Sequence, residues 1–99
     1  MDYKKPQPCG KFVREDSLPS QMKHIGGEVS EAWVELANLY STRADYGRVM
    51  FRDALAEELT DVICACTTAL AMLGLDEAAR DKMVEKVNHK NQRRGYWEE

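Results

Sequence analysis

Cysteine and histidine are scarce in this chain, and the few that occur form no recognisable motif. The 99 residues include three cysteines and two histidines. Cys9, Cys64 and Cys66 make neither a CxxC pair nor a cluster with histidine. An odd number of cysteines with this spacing favours reduced thiols in a cytoplasm, where a buried cysteine behaves as a small apolar residue.

Signals for a membrane or for nucleic acid are also lacking. The N-terminus has no apolar run of the kind found in a signal peptide. The longest apolar stretch, residues 62–73, is too short and too interrupted by threonine to span a bilayer. The net charge of −3 is opposite to the basic excess of a general nucleic-acid binder. We therefore expect a cytoplasmic protein that binds neither a membrane nor nucleic acid.

No stretch shows the alternation of a β-strand, so the predicted fold is all-α. Residues 1–16, with two prolines, a glycine and no periodicity, are predicted to form an irregular N-terminal arm. The first helix is predicted to start at Ser17 or Ser20 as N-cap, with Pro19 in its first turn. Over the next six turns apolar residues recur every three or four positions, as on one face of a helix. These residues are Leu18, Met22, Ile25, Val29, Trp33, Leu36 and Tyr40.

A break is predicted at residues 41–48, followed by two more helices. The second helix should end at Gly74, a residue favoured just after a helix C-terminus. Asp76 is positioned to cap the third helix. The predicted domain is therefore a three-helix hairpin bundle over residues 17–95, with a C-terminal tail at 96–99.

Two acidic pairs stand out on the first two predicted helices. They occur in the segments EVSE and ELTD, thirty residues apart, and each pair has i,i+3 spacing. Such a pair projects to one side of its helix, so antiparallel packing would bring four carboxylates together. We call this set the acidic tetrad: Glu28, Glu31, Glu58 and Asp61.

Four adjacent carboxylates repel one another and resist ionisation unless a cation compensates them. Oxygen ligands without imidazole or thiolate favour Mg²⁺ or Mn²⁺. The Glu-x-x-His pair of a di-iron bundle does not occur in this sequence. The competing interpretation is that these acids form a solvated helix face.

Other residues of the first helix suggest the surroundings of a polar site. Gln21 and His24 precede Glu28 on the same helical side, and we expect them to line a substrate-binding wall. Gly27 has no side chain and would let a ligand or another backbone approach closely. Trp33 and Tyr40 lie on the apolar face and are expected in the core.

The two motifs resemble those of one known family. The segments GEVSE (27–31) and EELTDVI (57–63), followed by a basic C-terminal segment, are similar to the MazG-like all-α nucleotide pyrophosphohydrolases. That family carries ExxE on one helix and ExxD on the next, usually with another glutamate before each pair. The second motif fits fully, whereas Gly27 stands where the first often has a glutamate. The resemblance covers about residues 20 to 95.

The resemblance implies hydrolysis of a nucleoside triphosphate to the monophosphate and pyrophosphate, with Mg²⁺ held by the acidic tetrad. It implies Glu31 or Glu28 as the catalytic base. Phosphate would be contacted by residues at the end of the third helix, although cations there also complement the helix dipole. Tyr96 and Trp97 would either close over a base or form a tail. The phosphate-binding candidates are Lys86, Lys90, Asn91 and Arg94.

Two other functions stay open on the sequence. One is a non-catalytic helical module that senses nucleotide or binds a partner, which the complete acidic tetrad disfavours. The other is a small nucleic-acid-binding bundle using the basic tail, which the net acidity disfavours. The sequence does not distinguish dUTP, dCTP or another nucleotide as substrate.

The second predicted helix is apolar on more sides than the rest of one chain covers. A three-helix monomer would leave part of Ile63, Leu70, Met72 or Leu73 in water. We therefore predict a homodimer or larger even-numbered assembly, in which two hairpins complete a four-helix core. The resemblance likewise implies dimers or tetramers.

Overall fold

The computed structural model describes residues 1–97, and its regular structure is entirely helical. The all-α prediction is confirmed for this part of the chain, but four helices are found where three were predicted. The two long central helices form an antiparallel hairpin, and α1 packs on α3. The helices are α1 (Gly10–Glu15), α2 (Leu18–Ser41), α3 (Asp45–Met72) and α4 (Glu77–Arg93).

Capping residues set three of the helix ends, as the sequence predicts. The Ser17 hydroxyl accepts a hydrogen bond from Ser20 N at 3.2 Å, with Pro at the start of α2. Asp76 accepts from Ala79 N at 2.9 Å and caps α4. After α3, Gly74 adopts φ +89°, a left-handed conformation that costs glycine little.

Two boundary predictions were wrong. The N-terminal arm is not irregular throughout, because residues 10–15 form α1 and Cys9 N donates to Thr68 Oγ1 at 2.9 Å. The break between the long helices spans only residues 42–44 rather than 41–48. Gly47 permits this tight connection, since a Cβ at that position would collide with Thr42 Oγ1.

The core of the single chain is small and consists of small residues. The fully buried apolar residues of the described chain are Ala32, Ala65 and Ala69. Trp33 and Tyr40, expected in the core, are 66% and 82% exposed. The prediction failed because α3 packs along a different line of α2, about a quarter of a turn away from the apolar stripe. Periodicity identifies an apolar side but not the neighbour that covers it.

The last helix projects away from the hairpin. The axes of α3 and α4 are bent by 116° at the Gly74 break, and α4 has no buried residue. Its first turn is held by Arg80 Nη1, which donates to Leu75 O at 2.9 Å, and by a 3.9 Å ion pair between Lys5 and Glu77. The rest of α4 does not pack along α2 or α3.

Within residues 1–97, no individual helix has both the length and the apolar composition needed to cross a membrane. The bent pair α3 and α4 satisfies that criterion only when the two helices are taken together.

The contact at Gly47 gives a test of the hairpin connection. We expect Gly47→Ala to lower the free energy of unfolding by about 1–3 kcal/mol, because a buried site with no spare room is overpacked. Thr42→Ala should recover most of this loss in the double variant, since it removes the colliding hydroxyl. Urea denaturation of the wild type, both single variants and the double variant measures the coupling.

Gly27→Ala is the matched control for this test. No atom lies within 4 Å of a Cβ built on Gly27, so alanine should stabilise the helix by about 0.5–1 kcal/mol. If Gly47→Ala were as harmless as Gly27→Ala, the steric role assigned to Gly47 would be wrong. The open space around Gly27 leaves room for a ligand or another backbone, and no described residue of this chain occupies it.

Candidate metal centre

The hairpin brings the carboxylates of the acidic tetrad together. Glu28 and Glu31 come from the middle of α2, and Glu58 and Asp61 from the middle of α3. Carboxylate oxygens of Glu28, Glu31 and Glu58 all lie within 4.8 Å of one another. Asp61 adjoins this group and lines the same cavity as Glu28.

Burial makes this cluster different from a solvated acidic face. The Glu28 side chain is only 16% exposed, and Glu58 is half-buried. Glu28 Oε2 and Glu58 Oε2 are inaccessible to solvent and have no hydrogen-bond partner. A buried acceptor without a donor is destabilising, so these two oxygens require a proton or a cation.

The electrostatics agree with this requirement. Burial is the largest factor that raises the pKa of Glu28, and the charges of Glu31 and Asp61 raise it further. His24 opposes the rise, since its Nε2 lies 3.5 Å from Glu28 Oε1 and attracts the carboxylate when protonated.

The pKa of Glu58 is raised for related reasons. Burial is again the largest cause, followed by a hydrogen bond with Glu31 when a proton is shared between the two carboxyls. The charges of Glu31, Asp61 and Glu28 act in the same direction. Glu28 and Glu58, one from each helix, are therefore the two carboxyls that resist ionisation in the absence of a cation.

A cavity of 280 Å³ opens beside the acids, and both predicted wall residues line it. His24 lies at its edge with its ring edge-to-face with Phe12, the centroids 6.0 Å apart. Gln21 is 1% exposed, and its Nε2 donates to Ala65 O at 3.0 Å. Its amide nitrogen is therefore committed to α3, and Gln21 Oε1 has no partner.

Sequence reasoning missed the far wall of this cavity. Gln7, Cys9 and Phe12 line it from the N-terminal segment, and Thr68 lines it from α3. Thr68 Oγ1 ties these parts together, accepting from Cys9 N and donating to Cys64 O at 3.2 Å. The sequence feature that could have indicated this wall is Thr68, a threonine within the apolar part of α3. The proximity of the arm depends on tertiary packing.

The predicted phosphate-binding residues are not near the acids of their own chain. Asp61 lies thirteen residues before Gly74, which is about 20 Å along α3, and α4 then departs at 116°. Trp97 lines a separate cavity of 450 Å³ along α4, and Tyr96 is exposed. The single chain thus leaves these candidates apart from the acidic tetrad: Lys86, Lys90, Asn91 and Arg94.

The donor set fits a hard divalent cation. The ligands are carboxylate oxygens from two helices, and two of these oxygens have no hydrogen-bond partner. Such oxygens suit Mg²⁺ or Mn²⁺. Among the described residues, the cluster consists of three glutamates and includes no histidine or cysteine. His24 Nε2 lies 3.5 Å from Glu28 Oε1 and would orient this carboxylate without binding the cation itself.

Comparisons of the chain with protein-family models, with curated proteins and with solved structures gave no match.

The raised pKa values predict how stability depends on pH without metal. A carboxyl whose pKa is higher in the folded than in the unfolded state supports folding below its ordinary pKa of 4.5. That support is lost as pH rises through the folded value. We therefore expect Glu58→Gln, measured in a chelator, to gain stability relative to wild type as pH increases from about 4 to 8.

Glu57→Gln is the matched control, since Glu57 is the exposed neighbour on another side of α3. The difference between the urea midpoints of the two variants should grow as the pH rises toward neutral. A constant difference between Glu58→Gln and Glu57→Gln at every pH would contradict the proposed repulsion within the tetrad.

Proposed function

We propose that this protein is a Mg²⁺-dependent nucleotide pyrophosphohydrolase of the MazG-like type, which cleaves a nucleoside triphosphate into the monophosphate and pyrophosphate. The observation that supports it most strongly is the convergence of Glu28, Glu31 and Glu58 within 4.8 Å, with two solvent-inaccessible oxygens. The MazG-like motif resemblance adds the reaction type.

Each member of the tetrad has a role in this proposal. All four residues would hold the cation, which supplies Lewis acidity and charge neutralisation at the phosphates when bound. Glu31 is exposed, whereas one carboxylate oxygen of Glu28 is inaccessible to solvent. This difference favours Glu31 over Glu28 as the base that takes a proton from the attacking water.

The cavity beside the acids is the proposed place for the nucleoside part of the substrate. His24 stands at its edge and Phe12 offers an aromatic ring, while Gln21 forms part of its floor. A cavity of 280 Å³ is at the small end of ligand sites, which suits one nucleoside rather than a dinucleotide.

The proposed functional unit is a homodimer or a larger even-numbered assembly. The cations of α4 lie away from the acids of their own chain, so we assign them to the site of a second copy. Charge is distributed in keeping with this: residues 18–72 carry eight acidic and four basic residues, and residues 77–94 carry three acidic and six basic residues. Lys86 and Arg94 would then contact phosphate across the subunit boundary.

The acidic tetrad gives a direct activity test. We expect Glu31→Gln and Asp61→Asn each to lower turnover by about 100-fold or more while leaving the helical content unchanged. A panel of dNTPs and NTPs is incubated with Mg²⁺, and the products are separated to distinguish pyrophosphate from orthophosphate.

Asp53→Asn serves as the control and should keep wild-type turnover, since Asp53 is an exposed acid of α3 outside both motifs. Full activity in Glu31→Gln or Asp61→Asn at saturating Mg²⁺ would contradict the assignment of the ligands. Orthophosphate as the sole phosphate product would contradict the cleavage position. Nucleotide binding by the wild type without hydrolysis would instead support the non-catalytic sensing module.

The placement of the α4 cations is tested by mixing two inactive variants. Glu31→Gln lacks the acid, and the double variant Lys86→Ala, Arg94→Ala lacks the cations. If acids and cations come from different chains, each mixed dimer has one intact site. Subunit exchange at equal amounts should therefore restore about a quarter of wild-type activity, half the dimers being mixed. Each variant refolded alone is the control. No recovery in a mixture shown by mass spectrometry to contain mixed dimers would place the cations in the same chain as the acids.

A further inference from the structure

The N-terminal arm (residues 1–16), which forms one wall of the cavity, is held by little packing of its own. No residue of α1 is buried, and most of the arm is exposed. A segment of this kind has low local stability, because few apolar contacts oppose its opening. A small number of specific contacts must therefore keep the arm against the rest of the protein.

In the described chain, two polar contacts connect the arm with α3 and α4. The ion pair between Lys5 and Glu77 spans 3.9 Å with both side chains more than half exposed, so it contributes little. The hydrogen bond from Cys9 N to Thr68 Oγ1 is 2.9 Å long, and Thr68 is only 3% exposed. Because this bond is shielded from water, it is the stronger of the two contacts.

The Thr68 hydroxyl is oriented to accept from the arm. It donates its hydrogen to Cys64 O, one turn earlier in α3, at 3.2 Å. Its lone pairs are therefore left for Cys9 N. The neighbouring Thr67 makes the same kind of bond within α3, donating to Ile63 O at 2.9 Å, but its hydroxyl has no bond to the described part of the arm.

The bond between Cys9 and Thr68 lies at the wall of the cavity beside the acids. Cys9 and Phe12 line this cavity from the arm, and Thr68 lines it from α3. Phe12 follows Cys9 by three residues in α1, so the anchored Cys9 also fixes the ring of Phe12 against His24. The acidic tetrad belongs to α2 and α3, so its geometry is set by those two helices rather than by the arm.

We propose that Thr68 is a positioning residue for the nucleoside. Its hydroxyl holds the arm against α3, and the arm then supplies one wall of the cavity that receives the base and sugar. This role rests on the proposed function, which assigns the cavity to the nucleoside part of the substrate. Thr68 does not touch the reacting phosphates. It therefore affects how tightly the nucleotide binds and leaves bond cleavage at the acids unchanged.

Substitutions of two adjacent threonines test this role. Thr68→Val removes the hydroxyl at nearly constant volume. It should raise KM for the best substrate of the dNTP and NTP panel by about 3- to 10-fold, the effect of one hydrogen bond, with kcat unchanged. Thr68→Ser keeps the hydroxyl and should recover most of the wild-type affinity. Thr67→Val is the matched control and should keep wild-type values, since it loses only a bond within α3.

Limited digestion with trypsin measures the position of the arm without catalysis. Lys11 and Arg14 lie in α1, and Arg43 lies in the connection between α2 and α3. Trypsin cleaves a segment of this kind in its opened form, so the rate of cleavage reports how often the arm opens. We expect Thr68→Val to speed cleavage after Lys11 and Arg14 by about 3- to 10-fold. Cleavage after Arg43, followed by mass spectrometry in the same digest, should be unchanged.

The two measurements separate this inference from the proposed function. Hydrolysis by the wild type with equal KM in Thr68→Val and Thr67→Val would overturn the inference and leave the proposed function intact. Unchanged cleavage after Lys11 and Arg14 in Thr68→Val would also overturn it, as would a fall in kcat at unchanged KM. A wild type that hydrolyses no nucleotide would overturn the proposed function and the nucleoside role, and the digestion would still decide whether Thr68 holds the arm.

Discussion

The repulsion among four carboxylates at the α2–α3 contact, two of them partly buried between the helices, is the constraint on which the rest of the structure depends. Glu28 and Glu58 occupy positions on the α2–α3 contact line where apolar residues would otherwise form the core, one turn before Ala32 and two turns before Ala65. Burial raises the pKa of both carboxyls, and two of their oxygens have no partner. A cation would remove both penalties, whereas a core of alanines offsets them only weakly.

In this arrangement the hairpin has three sides that differ in the residues they carry. The contact line holds Glu28 and Glu58, a second side presents Glu31, Asp61 and His24, and a third side presents exposed apolar residues such as Trp33 and Ile63. A helix has room for all three because successive residues are about 100° apart. The acids and the exposed apolar residues therefore occupy different sides of the same two helices, since Val29 and Leu59 directly follow Glu28 and Glu58 in sequence.

The two terminal segments contribute in different ways. The N-terminal arm packs on α3 through the bond from Cys9 N to Thr68 Oγ1 and closes one wall of the cavity. The C-terminal helix instead leaves the hairpin at 116° with its basic residues in solvent. A helix of 17 residues gains little stability without tertiary packing, so α4 is the element most in need of a partner.

The sequence by itself determined the three long helices, the caps at Ser17 and Asp76, the stop at Gly74 and the pairing of the two acidic motifs. These features depend on local hydrogen bonds and on the fixed angle between successive residues. Only the tertiary structure decided that Glu28 and Glu58 are the sealed carboxyls, that Trp33 is exposed and Gln21 buried, and that residues 7–12 line the cavity. Each of these depends on where along its circumference α2 meets α3. An apolar stripe that spans about a quarter of the circumference does not fix that contact line. Small residues on this contact line, Ala32 of α2 and Ala65 and Ala69 of α3, and the bond from Gln21 Nε2 to Ala65 O mark the one that the structure adopts.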